Sequence, residues 1–386
     1  MKSQRTDEIK GFAKKVGFDV VGIVCSDPIR EAESYFERWI SEGFQGEMKY
    51  LENYGERLKK LKERIPDAKS IIVLGANYYS RQPRREIEGP LSGRIARYAW
   101  GKDYHRVLKE RLEQMEGFLK DKYSSGRFLS CVDAQPVLER SFAESAGLGF
   151  RGRQTQILNK HFGPWLFLCE IITDLDLEAD EAKDGGSCGT CWECLERCPT
   201  GAIIDSHTID ARLCISYLTI EYKGIIPRRL RPLIKDWVFG CDECLTTCPF
   251  DNLSKETEWN EFKPASGFGS WLDLAALFDL RSNREYERKF KDTALLRANR
   301  KMMLRNAAVV LGNLKVPETI PTLIEALERE VPLVRVHLAW ALGRIGGEQA
   351  RRALERRRSC ESDSAVLEEI DTSLRELSVD AGELKV

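Results

Sequence analysis

A chain of 386 residues is long for one core, and its 42% hydrophobic and 31% charged content describes an ordinary folded protein and excludes a disordered one. A formal net charge of −1 means that any affinity for nucleic acid must come from a local patch. Residues 1–26 hold only a short apolar run at 20–25, too short for a signal sequence, and no later stretch could span a bilayer, so a cytoplasmic protein without a membrane partner is expected.

An amphipathic helix is predicted over residues 7–18, a strand over 19–24 and a second helix over 28–42. The continuous β-branched run at 70–75 reads as a buried strand. A long helix is expected over 103–123, with Val107, Leu108, Leu112, Met115, Phe118 and Leu119 on its apolar face. Residues 128–132 read as a strand ending at Asp133. Residues 165–169 read as another, leading into an acidic loop over 174–184. Strands alternating with helices predict an α/β domain over residues 1–175.

The strongest signal follows, in a ferredoxin-like stretch over 176–260. Cys188, Cys191, Cys194 and Cys198-Pro199 form the C-x2-C-x2-C-x3-C-P run of two-cluster ferredoxins, and Cys241, Cys244 and Cys248-Pro249 form a shorter second block. In that arrangement three closely spaced thiolates wrap one cubane and the fourth crosses to the other. One [4Fe-4S] cluster then takes Cys188, Cys191, Cys194 and Cys248. The other takes Cys198, Cys214, Cys241 and Cys244. A zinc ribbon also uses paired C-x-x-C, but four cysteines in one run and two Cys-Pro endings are not expected of it. With twelve cysteines and no expected secretion, metal ligation is favoured over disulfides. The remaining Cys25, Cys131, Cys169 and Cys360 are expected to be buried thiols.

Residues 261–386 comprise a basic connector and an all-helical pattern. Residues 303–314 and 334–345 resemble one another, with Gly312 and Gly343 in equivalent places 31 residues apart. Second helices are expected over 321–330 and 348–357, which gives a HEAT-like helical repeat. Between Arg281 and Arg305 nine Lys or Arg face three Asp or Glu. A solvated face is the ordinary fate of such a run. A second basic group at Arg351, Arg352, Arg356, Arg357 and Arg358 raises the case for a phosphate-binding surface.

Several segments in order resemble the epoxyqueuosine reductase family. They are Arg97-Tyr-Ala-Trp-Gly-Lys-Asp-Tyr-His105, Val132-Asp-Ala-Gln-Pro-Val-Leu-Glu-Arg140, Ala146-Gly-Leu-Gly-Phe150, Gly163-Pro-Trp-Leu-Phe-Leu-Cys-Glu-Ile-Ile-Thr173, the cysteine block, Cys214-Ile-Ser-Tyr-Leu-Thr219 and the terminal repeats. The resemblance spans essentially the whole chain. It implies a base-off cobalamin held by the α/β domain. It also implies a tRNA anticodon stem-loop as substrate, in which epoxyqueuosine at the wobble position of the tRNAs for Asp, Asn, His and Tyr is reduced to queuosine.

By the same resemblance Asp133 is the proton donor and a cobalamin contact. Arg57, Ala96, Gln154, Ile157, Leu168 and Ser216 also hold the corrin, with Cys241 and Asp242 facing it from the cluster side. Residues 56–64 depart from the family pattern around Arg57, and Gln154 stands where the family has Asn. From the residues alone, an ordinary strand-end or capping aspartate is the favoured reading of Asp133. Tyr104 and His105 could line the pocket, relay protons, or make a structural hydrogen bond. Lys223, Arg281, Asn283, Arg284, Arg300, Lys301 and Arg305 are the candidate tRNA contacts. An external one-electron donor of ferredoxin or flavodoxin type is expected, and a monomer suffices. The competing readings are a reductive dehalogenase-like reductase of a small molecule and a non-catalytic ferredoxin-type carrier.

Overall fold

The computed structural model describes residues 2–27, 29–81, 91–133, 135–180 and 186–383. Residue 28 of the expected second helix and residues 181–184 of the expected acidic loop lie outside them. The chain forms two compact units, interleaved along the sequence. One comprises Met1–Arg81, Arg97–Cys214 and Asp242–Gly267; the other comprises Gln82–Ala96, Ile215–Cys241 and Phe268–Val386.

The first unit opens with α1 (Lys2–Val16), β1 (Val20–Cys25), α2 (Arg30–Ser41), α3 (Tyr54–Arg64) and β2 (Ser70–Asn77). It continues with α4 (Tyr104–Lys122), β4 (Phe128–Cys131), α5 (Glu139–Ser145), the short hairpin β5 (Phe150–Arg151) and β6 (Ile157–Leu158), and β7 (Leu166–Thr173). The sheet runs β1-β2-β7-β4, and every neighbouring pair is antiparallel. Helix and strand alternate as expected, yet the sheet contains no parallel pair.

Every residue of β2 is buried, because both faces of the sheet are covered. Ile72, Leu74 and Ala76 pack with Ile9 and Ala13 of α1 and with Leu108, Leu112 and Met115 of α4. Ile71 and Val73 point the other way, against Ala143 and Ala146 at α5. That double cover is why this strand reads as a continuous apolar run rather than an alternating one.

The cysteine-rich part of this unit is loop-dominated. The one-turn helices α6 (Glu193–Glu196) and α8 (Glu243–Thr246) sit within the two cysteine blocks, and β8 (Ile203–Asp205) pairs with β9 (Thr208–Ile209). α2 anchors it: Tyr35 Oη donates to the His207 carbonyl at 2.7 Å, and Trp39 Nε1 donates to the Ile209 carbonyl at 2.7 Å. Of the four cysteines outside the blocks, Cys131 and Cys169 are buried as expected. Cys25 and Cys360 are exposed, because they end an edge strand and a helix respectively.

In the second unit β3 (Ser92–Ile95) lies between β10 (Trp237–Phe239), to which it is parallel, and β11 (Trp271–Asp273), to which it is antiparallel. Helices follow: α7 (Ile215–Ile220), α9 (Asn283–Lys289), α10 (Arg300–Leu314), α11 (Ile320–Arg329), α12 (Pro332–Ile345), α13 (Glu348–Cys360) and α14 (Ser364–Glu383). Every residue from Met302 to Gly312 of α10 is buried, since α12 covers one side and α7 and β10 another.

The two repeated glycines have one physical reason. A Cβ at Gly312 would lie 2.6 Å from the Trp340 ring of α12, and one at Gly343 would lie 2.6 Å from Ser373 of α14. Each glycine lets the leading helix of one repeat close on the leading helix of the next. α14 is thus a third leading helix, beyond the two repeats legible in the sequence. It is fixed by Glu369, which takes an ion pair from buried Arg231 at 2.8 Å and another from Arg228 at 3.0 Å.

Candidate active site and cluster-binding cysteines

The most concentrated polar chemistry in the first unit lies where α4 begins. Asp103 caps that helix, accepting the His105 backbone N–H at 3.0 Å. The same carboxylate oxygen meets His105 Nδ1 at 2.8 Å, and His105 Nε2 lies 3.1 Å from Asp133 Oδ2. Tyr104 Oη donates to that Oδ2 as well, at 2.7 Å. Tyr104 is held flat against Phe167 of β7, with ring centroids 4.5 Å apart and planes 6° from parallel. Burial works against a charged His105, but the two carboxylates outweigh it and raise its pKa to about 9. The ring is therefore an imidazolium at neutral pH, and donates from both nitrogens.

Asp133 lies two residues past the end of β4 and adopts a left-handed backbone, φ +49°. That region is costly for a residue with a side chain unless neighbours enforce it. The Asp133 N–H donates to Glu139 Oε1 of α5 at 2.7 Å, which supplies one such constraint. Its carboxylate is 56% exposed, so a substrate can reach it. Beneath it, Glu170 of β7 is fully buried. Glu170 pairs with Cys131 of β4 and Val73 of β2, so it shares the sheet face that α5 covers. Neither of its carboxylate oxygens has a hydrogen-bond partner among the described residues.

Three residues here escaped the sequence analysis: Asp103, Glu139 and Glu170. Asp103 carries a helix-capping signal, an Asp just before a long amphipathic helix. Glu170 carries another, a carboxylate inside the otherwise apolar run of a covered strand.

The residues expected to hold cobalamin divide between the two units. In the first, Gln154 and Ile157 are buried at the β5–β6 hairpin, Leu168 is half-buried on β7, and Arg57 on α3 donates to the Tyr50 carbonyl at 3.2 Å. Asp242 is buried and accepts the Arg97 N–H at 2.7 Å. Ala96, Ser216 and Cys241 belong to the second unit. Two unspent donors in the first unit suit a ligand rich in amide carbonyls, as a corrin is. Gln154 Nε2 is buried without a hydrogen-bond partner among the described residues. So is one guanidinium nitrogen, Nη1, of Arg97, whose cation lies 3.9 Å from the Trp165 ring centre.

The thiols couple in two groups. Burial, and then repulsion from Cys188, Cys248 and Cys191, push the Cys194 thiol up to about 11. Burial, and then Cys214, Cys198, Asp242 and more weakly Cys194, raise Cys244 well above the ordinary thiol range. The first group is the full ligand set expected for one cubane, and the second contains three of the four expected for the other. Cys241, the fourth, is the last residue of the second unit's middle segment and is half-buried. Among the described residues no three His, Cys, Asp or Glu converge closely enough to hold a single metal ion. A cubane instead spreads its thiolates over separate irons.

The basic residues of the second unit have different fates. Arg305 is fully buried and donates to the carbonyls of Leu218, Tyr222 and Gly224 at 2.6–2.9 Å. Arg300 forms a two-pronged pair with Glu330 at 2.6 and 2.9 Å and is 11% exposed. Arg281 is exposed and paired with Glu325 at 2.6 Å. Lys223, Asn283, Arg284 and Lys301 are exposed. On α13, Arg352, Arg357 and Arg358 are paired with carboxylates.

Comparison with known proteins places this geometry. The family model "Epoxyqueuosine reductase QueG, DUF1730" matches residues 59–134, "4Fe-4S double cluster binding domain" matches 187–251, and "HEAT repeats" matches 293–375. The epoxyqueuosine reductase of Pseudomonas aeruginosa is 41% identical over 344 residues, 88% of this chain and 94% of that protein. The chain belongs to the epoxyqueuosine reductase family. It is an oxidoreductase with a double [4Fe-4S] cluster domain and HEAT-type repeats. The Escherichia coli epoxyqueuosine reductase is 36% identical over 360 residues, 93% of this chain and 92% of that protein. Among solved structures, an epoxyqueuosine reductase bound to an epoxyqueuosine-modified tRNA-Tyr stem loop aligns with TM-score 0.86 and 31% identity, over 97% of this chain and 99% of that one. The Bacillus subtilis enzyme, with its catalytic aspartate loop swung out of the active site, aligns with TM-score 0.85 and 32% identity, over the same shares. No helix among the described residues is long and apolar enough to cross a membrane.

Proposed function

We propose that this protein reduces epoxyqueuosine to queuosine at the wobble position of the tRNAs for Asp, Asn, His and Tyr, with Asp133 as proton donor. The observation that carries the reading is the Asp133 carboxylate, exposed at a strand end and held at one oxygen by Tyr104 and a charged His105. Family membership, the stem-loop complex of one relative and the aspartate loop of another support it.

The reaction takes two electrons and two protons, leaves an alkene and releases the epoxide oxygen as water. When bound, cobalamin would supply the reducing power, with two [4Fe-4S] clusters as its source of electrons. Gln154 fits that cofactor through its buried amide nitrogen, which has no partner among the described residues, with Arg57, Ile157, Leu168, Asp133 and Asp242 of the same unit as further contacts. The protein's own task is to keep a free alkoxide from forming. As charge grows on the epoxide oxygen, the ionised Asp133 takes the His105 Nε2–H proton at Oδ2 and delivers it there, and solvent supplies the second proton with which the oxygen leaves as water. Tyr104 keeps the carboxylate aimed, and Asp103 keeps the imidazole protonated and fixed in rotation.

The division of labour we assign is corrin binding to residues 1–175, cluster binding to 176–260 and tRNA binding to 261–386. Lys223, Arg281, Asn283, Arg284 and Lys301 hold stem phosphates, while Arg300 and Arg305 are spent on internal carboxylate and carbonyls and shape the surface from within. A monomer in the cytoplasm, served by a ferredoxin or flavodoxin, meets these requirements. Substitution Asp133→Asn should leave cluster absorbance and bound corrinoid unchanged and lower turnover by about 100-fold or more. Turnover near that of the unaltered protein would remove Asp133 as the acid.

A further inference from the structure

We propose that Glu139 and Glu170 form a pair holding a single proton, and that Glu170 keeps it so that Glu139, ionised, positions Asp133 for proton delivery. The positioning half of this inference rests on Asp133 being the proton donor.

Glu170 is the anomaly that motivates the idea. It sits in the middle of a covered strand, with 0% exposure and no partner for either oxygen among the described residues. An ionised carboxylate in such a place is strongly disfavoured, so the group keeps its proton. Glu139 lies at the start of α5, the helix covering that face, and is only partly buried. Its Oε1 already accepts the Asp133 N–H, a bond that strengthens when the acceptor is charged. That bond also holds the left-handed backbone at Asp133, which would otherwise relax.

The charges around the pair favour this division. Facing Glu139 are Asp133 from the loop, Arg140 from its own helix and His105 from α4, and Cys131 flanks Glu170 from β4. From β2 the apolar Ile71 and Val73 pack on that face. Burial and the Asp133 charge raise Glu139 to about 7, against the pull of the Asp133 N–H, Arg140 and His105. Burial, Glu139 and Asp133 all raise Glu170, well above the ordinary range. One proton therefore resides on Glu170, and a second joins Glu139 only as the pH falls.

Infrared spectroscopy of the holoenzyme tests the shared proton without reference to turnover. A protonated-carboxyl band should persist at about pH 8, above the range in which ordinary carboxylic acids ionise, and vanish in Glu170→Gln. A missing band, or one unchanged in that variant, overturns the pair.

Turnover of a modified stem-loop tests the positioning. Glu170→Gln replaces a neutral acid with a neutral amide and should keep kcat within about threefold. Glu139→Gln should lower kcat about 10- to 100-fold with KM unchanged, and should erase the decline in kcat below about pH 7. A Glu170→Gln loss as large as that of Asp133→Asn would mean that Glu170 gives up its proton during turnover, and would overturn the assignment. An unaltered pH profile in Glu139→Gln would do the same for Glu139. Full turnover by Asp133→Asn would remove the donor and the positioning role together, while the infrared band would still decide whether the proton is shared.

Discussion

His105 is a cation because two carboxylates flank it, and that fixes how the site responds to pH. Its folded pKa, about 9, lies above the ordinary 6.5. The stabilisation from its ion pairs is thus complete below about pH 6.5 and is lost as the pH rises through about 9. Turnover should fall on that same alkaline limb as the proton stored at Nε2 is lost. His105→Gln should flatten the limb and lower kcat, and nuclear magnetic resonance of the imidazole should show its titration near 9. A ring titrating near 6.5 would detach His105 from both carboxylates.

Residue chemistry was legible in the sequence where spacing encodes it. The spacing of the cysteine blocks predicts two ligand sets; in the structure Cys194 feels Cys188, Cys248 and Cys191, and Cys244 feels Cys214, Cys198 and, more weakly, Cys194. The motif around Asp133 was visible only through family resemblance. Glu139 and Glu170 were not singled out, since what distinguishes them is burial under α5, and burial belongs to the tertiary fold. Arg300 and Arg305 show the converse. They look like free basic residues in sequence, and Glu330 and the carbonyls before α10 absorb them.

Among the elements, the HEAT-like helices follow from apolar patterning and from two glycines that mark close crossings. The third leading helix, α14, carries no such glycine and was not anticipated. Arg231 is 2% exposed, and Glu369 is its carboxylate partner. Glu369→Ala would leave a guanidinium buried without that partner and should cost about 3–5 kcal/mol. Denaturant unfolding measures the loss, and hydrogen exchange should show α14 opening first. A change below about 0.5 kcal/mol would mean that water enters to solvate Arg231.

The sheet illustrates a different limit. Its strands were placed to within a few residues, but their antiparallel order β1-β2-β7-β4 is set by which long connections cross the sheet. No local pattern carries that information.

At the scale of the molecule, a net charge of −1 conceals a group of exposed basic residues in the second unit. Reversing Arg284 and Lys301 to Glu should weaken stem-loop binding and flatten its dependence on salt together, since each lost phosphate contact releases fewer counterions. Unchanged affinity would put the RNA elsewhere. The interleaving of the two units was not legible either. Residues 91–96 and 215–241 belong to one compact body, while the chain that follows each belongs to the other.

The central claim is that these parts together remove one oxygen from a base on tRNA. The direct test is anaerobic incubation of the reconstituted protein with tRNA bearing epoxyqueuosine and a low-potential reductant, followed by mass analysis of the released nucleosides. The expected result is loss of the epoxyqueuosine nucleoside with matching gain of queuosine, dependent on both corrinoid and clusters. Intact epoxyqueuosine after incubation with fully loaded protein that still binds the stem-loop would contradict the account.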